Sequence, residues 1–411
     1  MLSLSYLKEK VVSLWAAAGL PDVSLTGADE TSALDSFLHE RKQSFLSEVG
    51  SASNRWTVVT GNEAGDLDSI ASSVAYAYLS SNPNMISLVQ TPRSDLHLRP
   101  ENAFAFSLAS LDIENLLTTS DISSGISAHN LDYVLVDHNR LLPSCKGNVV
   151  AILDHHEDER QHLEANPRII RPAGSCASLV TTQFRESWAT RPTDELKSVA
   201  MLLLSAILID TDGLKPGGKA VDVDHDAVQL LVPHTGLVTS SSIVGGGRQP
   251  PVAVEALSRR LATAKSSVEH LSMKDLLRRD YKEYDLTGAR VGLSTVPVGL
   301  KVLVKRNTEQ FWGDMDGWMS ERKLDVLGVL TTYRSAKKRK HRRQLLFVVR
   351  PGQDKVESAL FEGIARDREL QCEERRIAGV ENRRARCWRQ GNAKATRKVV
   401  APLVKRLVET L

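Results

Sequence analysis

Carboxylates follow four apolar runs of this 411-residue chain, and a pair of imidazoles follows one of those carboxylates. The carboxylates are Asp66, Asp68, Asp137, Asp154 and Asp210, and the imidazoles are His155 and His156. A single Asp at the end of a strand is usually a helix cap, so only the ordered set is informative. Carboxylates that converge repel one another unless cations neutralise them, and oxygen ligands with one or two imidazoles suit Mg²⁺, Mn²⁺ or Co²⁺. Two such ions that share a carboxylate are the usual means of attack on phosphorus.

Short runs rich in β-branched residues separate these groups. They predict buried strands over Trp56–Thr60, Met85–Val89, Tyr133–Val136 and Val149–Leu153. Helical stretches alternate with the strands, and Met201–Ile209 is predicted to be a buried helix. This alternation predicts right-handed βαβ units and therefore an α/β fold with a parallel sheet. Ligands bind at the carboxyl ends of such strands, which is where the carboxylates lie.

The second half of the chain has a different pattern, with a helix over Val252–Val268 and then several strands. The strands are predicted over Val291–Val296, Leu324–Thr332 and Gln344–Val349. The last two flank Arg334–Arg343, which contains seven Lys or Arg and no acid and is predicted to be a basic hairpin or loop. The domain junction lies either at the loop around Gly245–Gly247 or just after the helix that follows it.

The net charge of +3 hides two halves of opposite sign. Residues 1–267 carry 21 Lys and Arg against 31 Asp and Glu, whereas residues 268–411 carry 32 against 19, which indicates an anionic partner for the second half. With 42% hydrophobic residues, the composition excludes a disordered or fibrous chain. The four cysteines lack zinc or disulfide spacing. No run is long enough to span a membrane and no signal peptide is evident, so we expect a cytoplasmic protein without a membrane partner. We also expect it to be a monomer.

The ordered acidic motifs resemble those of a known family. Asn62-x-x-x-Asp66-x-Asp68-Ser69, Asp137-His138-Asn139, Asp154-His155-His156 and Asp210-Thr211 are similar to the four motifs of the DHH phosphoesterase superfamily. Within it, the chain most resembles the fungal cytosolic exopolyphosphatases, through Gly61-Asn62-Glu63, Pro92–Leu96, Gly174–Val180 and Thr396–Pro402. The resemblance implies a parallel-sheet DHH domain, a smaller mixed α/β DHHA2 domain, and an active site in the cleft between them. Because the family's linker follows a long helix, we expect a DHH domain over residues 1–267, with an N-terminal helix, and a DHHA2 domain over residues 268–411.

The resemblance also implies roles for individual residues. Two divalent cations, most simply Mg²⁺ but also Mn²⁺ or Co²⁺, would be bound by Asn62, Asp66, Asp68, Asp137, His155 and Asp210, with Asp137 bridging them. Asp154 would orient His155 from outside the metal shell. His156, Arg397 and Lys398 would contact the substrate phosphate. Further predicted substrate contacts are Lys265, Arg93, Lys337, Lys338 and Lys340. Asn62 stands where pyrophosphatases carry a metal-binding His, and an amide is a weaker ligand than imidazole.

These expectations define an exopolyphosphatase that releases orthophosphate from the ends of inorganic polyphosphate by means of a hydroxide activated by two metal ions. The basic half would hold the polyanion, and no nucleic-acid partner is expected because few aromatic residues interleave with the charges. The alternatives are a pyrophosphatase of family II type, a prune-like phosphodiesterase, and a protein that binds polyanions or nucleic acid without catalysis.

Overall fold

The computed structural model describes residues 31–49, 54–122, 131–143, 145–237, 251–269, 271–334 and 340–410. The chain divides into two compact units, Met1–Lys265 and Ser266–Leu411. The N-terminal helix predicted within the first 20 residues and the loop around Gly245–Gly247 lie outside the described residues. Within the described part of the chain, no helix is long and apolar enough to cross a bilayer.

The first unit contains a six-stranded sheet with the order β3-β2-β1-β4-β5-β6, in which all paired strands are parallel. The strands are β1 Thr57–Thr60, β2 Met85–Val89, β3 Leu117–Thr118, β4 Leu131–Val136, β5 Gly147–Asp154 and β6 Arg168–Ile170. The parallel α/β fold predicted from the sequence is therefore confirmed. Because the strand order reverses between β1 and β4, the carboxyl ends of these two strands flank the crevice where such sheets bind ligands.

Most of the described helices pack against one face of this sheet, and the buried helical residue on the other face is Phe45. The helices are α1 Ala33–Glu48, α2 Leu67–Leu79, α3 Pro100–Leu108, α4 Cys176–Gln183, α5 Arg185–Thr190, α6 Thr193–Asp210, α7 Asp222–Leu231 and α8 Val252–Ser266. Every residue of α2 is buried, and α6 is buried along most of its length, as apolar helices of a central layer should be. Helix α2 begins at Leu67 because the Asp66 carboxylate caps it and accepts a hydrogen bond from the Ser69 backbone N–H at 3.1 Å.

The second unit has a mixed six-stranded sheet with the order β11-β12-β10-β9-β8-β7. Its strands are β7 Tyr281–Leu286, β8 Ala289–Val296, β9 Val326–Arg334, β10 His341–Val349, β11 Cys372–Arg375 and β12 Ala385–Gln390. Only β8 and β9 pair in parallel among these strands, and the others pair in antiparallel fashion. The helices are α9 Met273–Arg279, α10 Leu300–Arg306, α11 Thr308–Glu321, α12 Asp354–Arg366 and α13 Arg397–Glu409. Strands β9 and β10 pair in antiparallel fashion up to Arg334 and His341, and residues 335–339 of the predicted basic hairpin or loop lie outside the described residues.

Candidate metal centre

Asp137 lies at the switch point of the parallel sheet, directly after β4. Its backbone has a φ of +62°, a left-handed conformation that is uncommon for residues other than glycine, although Asp and Asn adopt it more often than most. Its backbone N–H donates to the carbonyl of Leu153 at 3.0 Å, and its carboxylate accepts from Ser69 Oγ at 2.6 Å. The side chain is only 3% exposed. The sheet and the start of α2 therefore fix this carboxylate in one orientation.

Asp68 lies in the first turn of α2 and is 2% exposed. Its carboxylate accepts hydrogen bonds from Ser175 Oγ at 2.6 Å, from the Cys176 backbone N–H at 2.7 Å and from the Ala177 backbone N–H at 2.8 Å. These donors belong to the N-terminus of α4, where the helix dipole favours negative charge. Helix α4 thus stabilises a buried carboxylate that no Lys or Arg neutralises among its described contacts.

Asp210 is the last residue of α6, where a carboxylate faces the negative end of the helix dipole. It cannot be a favourable cap there, so its position needs another explanation. Burial raises its pKa well above the usual range, and the charges of Asp68 and Asp66 raise it further. The ammonium of Lys265 opposes this rise, which places Lys265 close to Asp210 within the first unit.

His155 has its ring orientation set by a backbone carbonyl. Its Nδ1 lies 2.9 Å from the Ala173 oxygen, and because a carbonyl can only accept, Nδ1 must carry a proton. Its Nε2 then points at two carboxylates, lying 3.1 Å from Asp137 Oδ1 and 3.8 Å from Asp68 Oδ2. When the ring is neutral, Nε2 carries a lone pair, and a neutral imidazole of this tautomer can bind a metal ion.

His156 has a different environment, and here one sequence prediction is wrong. Asp154, which is fully buried, accepts from His156 Nδ1 at 2.8 Å, whereas it contacts His155 only through that residue's backbone N–H at 2.8 Å. Asp154 therefore orients His156 and not His155, because successive residues after a strand point their side chains in different directions. The His156 side chain is 46% exposed, so its Nε2 is available to a ligand.

The charges at this site are unbalanced in the way expected of a cation-binding site. Burial, followed by the charge of Asp68, raises the pKa of Asp137 to about 7, and burial raises the pKa of Asp68 as well. Although burial opposes it, the hydrogen bond to Asp137 and the charge of Asp68 raise the pKa of His155 to about 10. Ligand atoms of Asp137, His155 and His156 lie within 4.8 Å of one another. The raised pKa values mean that these groups hold protons in the absence of a cation. Carboxylate oxygens and an imidazole nitrogen are a donor set that suits a divalent cation, which would replace those protons.

Asn62 does not present a ligand atom in this arrangement, contrary to its predicted role. Its Oδ1 accepts from the Ala64 backbone N–H at 2.9 Å, so its Nδ2 is the atom that faces Asp137. Nδ2 donates to Asp137 Oδ2 at 2.7 Å and to the Asp137 carbonyl at 3.0 Å. An amide nitrogen that donates hydrogen cannot bind a cation, so Asn62 orients Asp137 instead.

Arg93 also has a structural role in place of its predicted contact with substrate. Its guanidinium donates to the carbonyls of Ile113 and Leu116 and forms an ion pair with Asp121 at 2.7 Å. These bonds join the segment after β2 to the segment around β3, and they use the donors that a phosphate would need.

The other predicted substrate residues lie in the second unit or outside the described residues. Lys337 and Lys338 are outside them, and Lys340 is exposed. Arg397, the first residue of α13, pairs with Asp280 at 2.8 Å and is 19% exposed. Lys398 follows it in the first turn of α13 and is exposed.

Sequence reasoning missed Asp224, which is fully buried in the first turn of α7. Its carboxylate accepts from the Gly174 backbone N–H at 2.8 Å, from Ser178 Oγ at 2.6 Å and from the Val221 backbone N–H at 2.8 Å. It thereby fixes the segment 173–178, which supplies the carbonyl for His155 and the donors for Asp68. The signal was present in its position on the buried face of an amphipathic helix, where an Asp is costly unless it is hydrogen-bonded.

Two family models match the chain. The DHH family N-terminal domain matches residues 56–207, and the DHHA2 domain matches residues 259–407. The chain is also similar in fold to the crystal structure of a Methanococcus jannaschii protein provisionally named a family II inorganic pyrophosphatase. That similarity has a TM-score of 0.53 with 22% identity, and it covers 86% of this chain and 99% of the other.

Three relatives extend the comparison. A Schizosaccharomyces pombe protein provisionally named an exopolyphosphatase is 30% identical over 87% of this chain and 92% of its own length. The mouse protein named exopolyphosphatase PRUNE1 is 26% identical over 67% of this chain. The matched region covers 59% of the length of the mouse protein. A manganese-dependent inorganic pyrophosphatase of Methanocaldococcus jannaschii is 26% identical over 58% of this chain and 71% of its own length.

Proposed function

Because the chain belongs to the DHH family and carries that family's DHHA2 domain, we propose that it is a metal-dependent phosphoanhydride hydrolase, and specifically an exopolyphosphatase that releases orthophosphate from polyphosphate ends. The observation that carries this proposal is the convergence of the Asp68 and Asp137 carboxylates on Nε2 of His155. The name of the S. pombe relative, which this chain covers almost completely, supports the choice of polyphosphate.

The proposed metal ligands are those that the family resemblance implies, apart from Asn62, and they all belong to the first unit. Asp68, His155 and Asp210 would hold one ion, Asp66 the other, and Asp137 both. We propose Mg²⁺ first, and Mn²⁺ or Co²⁺ as substitutes; the manganese-dependent relative supports the use of a divalent cation. Such ions, when bound, would acidify water and polarise phosphoryl oxygens.

The side chains around the ligands would act on the substrate. Asp154 holds the proton of His156 on Nδ1, and this hydrogen bond raises the pKa of His156, so its exposed Nε2 would donate a hydrogen bond to a phosphoryl oxygen. Lys265, near Asp210, would bind a second phosphate. In the second unit, Lys398 is exposed and would bind phosphate directly. Arg397 would bind phosphate only after its ion pair with Asp280 is broken.

A pyrophosphatase is the rival function, since pyrophosphatases are among the relatives. The residue type at position 62 argues against it, because the amide of Asn62 is a weaker ligand than the imidazole that pyrophosphatases carry at that position. A protein that only binds polyanions would not need the buried carboxylates. Burying them unpaired destabilises the fold, so their presence favours catalysis.

One assay separates these functions. Phosphate release is measured from long-chain polyphosphate, tripolyphosphate, pyrophosphate and a cyclic nucleotide, each with Mg²⁺, Mn²⁺ or Co²⁺. The wild type is compared with Asp137→Ala and with Asp226→Asn, which removes an exposed carboxylate on α7. We expect release from both polyphosphates, lost in Asp137→Ala and retained in Asp226→Asn. Turnover of pyrophosphate alone would establish the rival, and full activity of Asp137→Ala would refute the proposed centre.

A further inference from the structure

The second unit contains a basic cavity, distinct from Arg397 and Lys398, with a volume of about 490 Å³. Seven Lys or Arg side chains line it, and among the described residues no Asp or Glu does. A cavity of this volume is in the range that holds ligands. The proposed catalytic centre does not use this cavity.

The fold gathers these cations from β10, β11, β12 and α10, and from Arg376 directly after β11. Arg342 on β10 lies opposite Tyr333 on β9, and Gln344, two residues further along β10, lies opposite Arg389 on β12. Alternation along a strand therefore puts Arg342 and Arg389 on one face of the sheet. Helix α10 lies over this face, because the Leu300 backbone N–H donates to Gln344 Oε1 at 3.0 Å. The same helix contributes Lys301 and Lys305, which are one turn apart and exposed.

The cationic groups of the cavity outnumber their acidic partners. Among the described ion pairs, Glu373 is the acid that contacts arginines of the cavity. It pairs with Arg375 at 2.6 Å and with Arg389 at 3.6 Å. Elsewhere in the unit, two arginines have acids of their own: Arg384 pairs with both Asp354 and Glu357, and Arg383 pairs with Asp316. In contrast to these two, the cavity keeps an excess of positive charge among its described ion pairs. Such an excess is unfavourable unless an anion neutralises it.

The chemistry of the lining selects the kind of anion. Guanidinium groups bind phosphate oxygens in a bidentate manner, and a row of them suits a chain of phosphates. Single-stranded nucleic acid would also require aromatic platforms for its bases. The aromatic side chain that lines the cavity is Tyr333, and one face of its ring is closed by Gly299, where an added Cβ would lie 2.9 Å from Cζ. The lining therefore favours an inorganic polyanion over nucleic acid.

We propose that this cavity binds a segment of an inorganic polyphosphate chain, an inference that rests on the proposed function for the identity of the polyanion. Bound there, several successive phosphates would each meet a cation, so affinity would increase with chain length and decrease with salt. The cavity would then favour long chains over tripolyphosphate, independently of the residues that carry out hydrolysis.

The test is a binding measurement with the full-length protein in EDTA, where no hydrolysis occurs, using long-chain polyphosphate as the probe. The variant Arg342→Gln/Arg376→Gln is compared with Lys355→Gln/Arg366→Gln, which removes the same charge from exposed positions on α12. We expect the cavity variant to bind about tenfold more weakly than the control variant. A plot of the logarithm of the binding constant against the logarithm of the salt concentration should have a slope that is less steep by roughly 1.4, at about 0.7 per lost phosphate contact. Lys301→Gln/Lys305→Gln provides a second test at exposed positions that should not affect folding.

The outcomes are distinguishable from those of the hydrolysis assay. Equal binding by both cavity variants and the control would refute the cavity proposal even if polyphosphate is hydrolysed. Weakened binding with no phosphate release from any substrate would support the cavity and refute the proposed function. Binding of a single-stranded oligonucleotide as tight as that of polyphosphate, lost in the same variants, would overturn the assignment to polyphosphate in favour of nucleic acid.

Discussion

Asp224→Asn tests whether the metal centre depends on a carboxylate that is not itself a ligand. Asp224 Oδ2 accepts from the backbone N–H groups of Gly174 and Val221, and Oδ1 accepts from Ser178 Oγ and, at 3.3 Å, from the Ser175 N–H. The amide of Asn can satisfy only one of these two sides. It would turn its oxygen to Gly174 and Val221, because the Ser178 hydroxyl can rotate to accept whereas a backbone N–H cannot.

The cost of this substitution has two parts. Asn at position 224 would lose the hydrogen bond from the Ser175 N–H, and its remaining hydrogen bonds would no longer be to a charged carboxylate. Together these losses should lower the free energy of unfolding by about 2–4 kcal/mol. The segment 173–178 would also shift, and with it the Ala173 carbonyl that sets the tautomer of His155 and the donors that hold Asp68. Substituting groups that orient metal ligands typically weakens metal affinity by about 10- to 100-fold. We therefore expect the apparent dissociation constant for Mg²⁺ or Mn²⁺ to rise by that factor.

The assay is a titration of activity with metal ion, together with thermal unfolding of the metal-free protein. At saturating metal, Asp224→Asn should recover most of the wild-type kcat, because the ligands themselves are intact. Asp226→Asn, on the exposed side of the same helix, should match the wild type in both measurements. A variant that is destabilised yet needs no more metal than the wild type would refute the positioning role and leave Asp224 with a purely structural one.

The structure supports three further predictions. Asn62→Ala should lower kcat by about tenfold, because Asp137 loses the two hydrogen bonds from Nδ2 but keeps that from Ser69; an unchanged kcat at saturating metal would contradict this. Gly61→Ala should reduce both stability and activity, since its Cβ would lie 2.6 Å from the Ser69 side chain and push α2 away from β1; thermal unfolding and steady-state rates measure the two effects. Arg93→Gln should lower the free energy of unfolding by about 2 kcal/mol with KM unchanged. Although burial opposes it, hydrogen bonds from Thr118 and Arg93 hold the pKa of Asp121 below its usual range. This stabilisation is present above the unfolded pKa and is lost as pH falls through the folded value, so the difference between wild type and Arg93→Gln should shrink in acid.

The elements of the first unit were largely predictable because their apolar runs are local signals. The strands observed at Thr57–Thr60, Met85–Val89 and Leu131–Val136 coincide with predicted ones to within two residues, and α6 contains the predicted helix over Met201–Ile209. Short elements such as β3 and β6 were not predicted, since two or three residues are too few to show a periodicity.

The sequence by itself determined which carboxylates and imidazoles follow which strands, and the order of the strands along the chain. The order of the strands across the sheet, with β1 beside β4, brings Asp68 and Asp137 together, and only the folded chain decides it. Tertiary structure also decided the roles of Asn62, Asp154 and Arg93, because a hydrogen bond depends on the direction of a side chain and on partners far along the sequence. The same reason hid Asp224, whose carboxylate acts on a segment about 50 residues earlier in the chain. Residue type and spacing specify the chemistry available, and long-range packing specifies which atoms face each other.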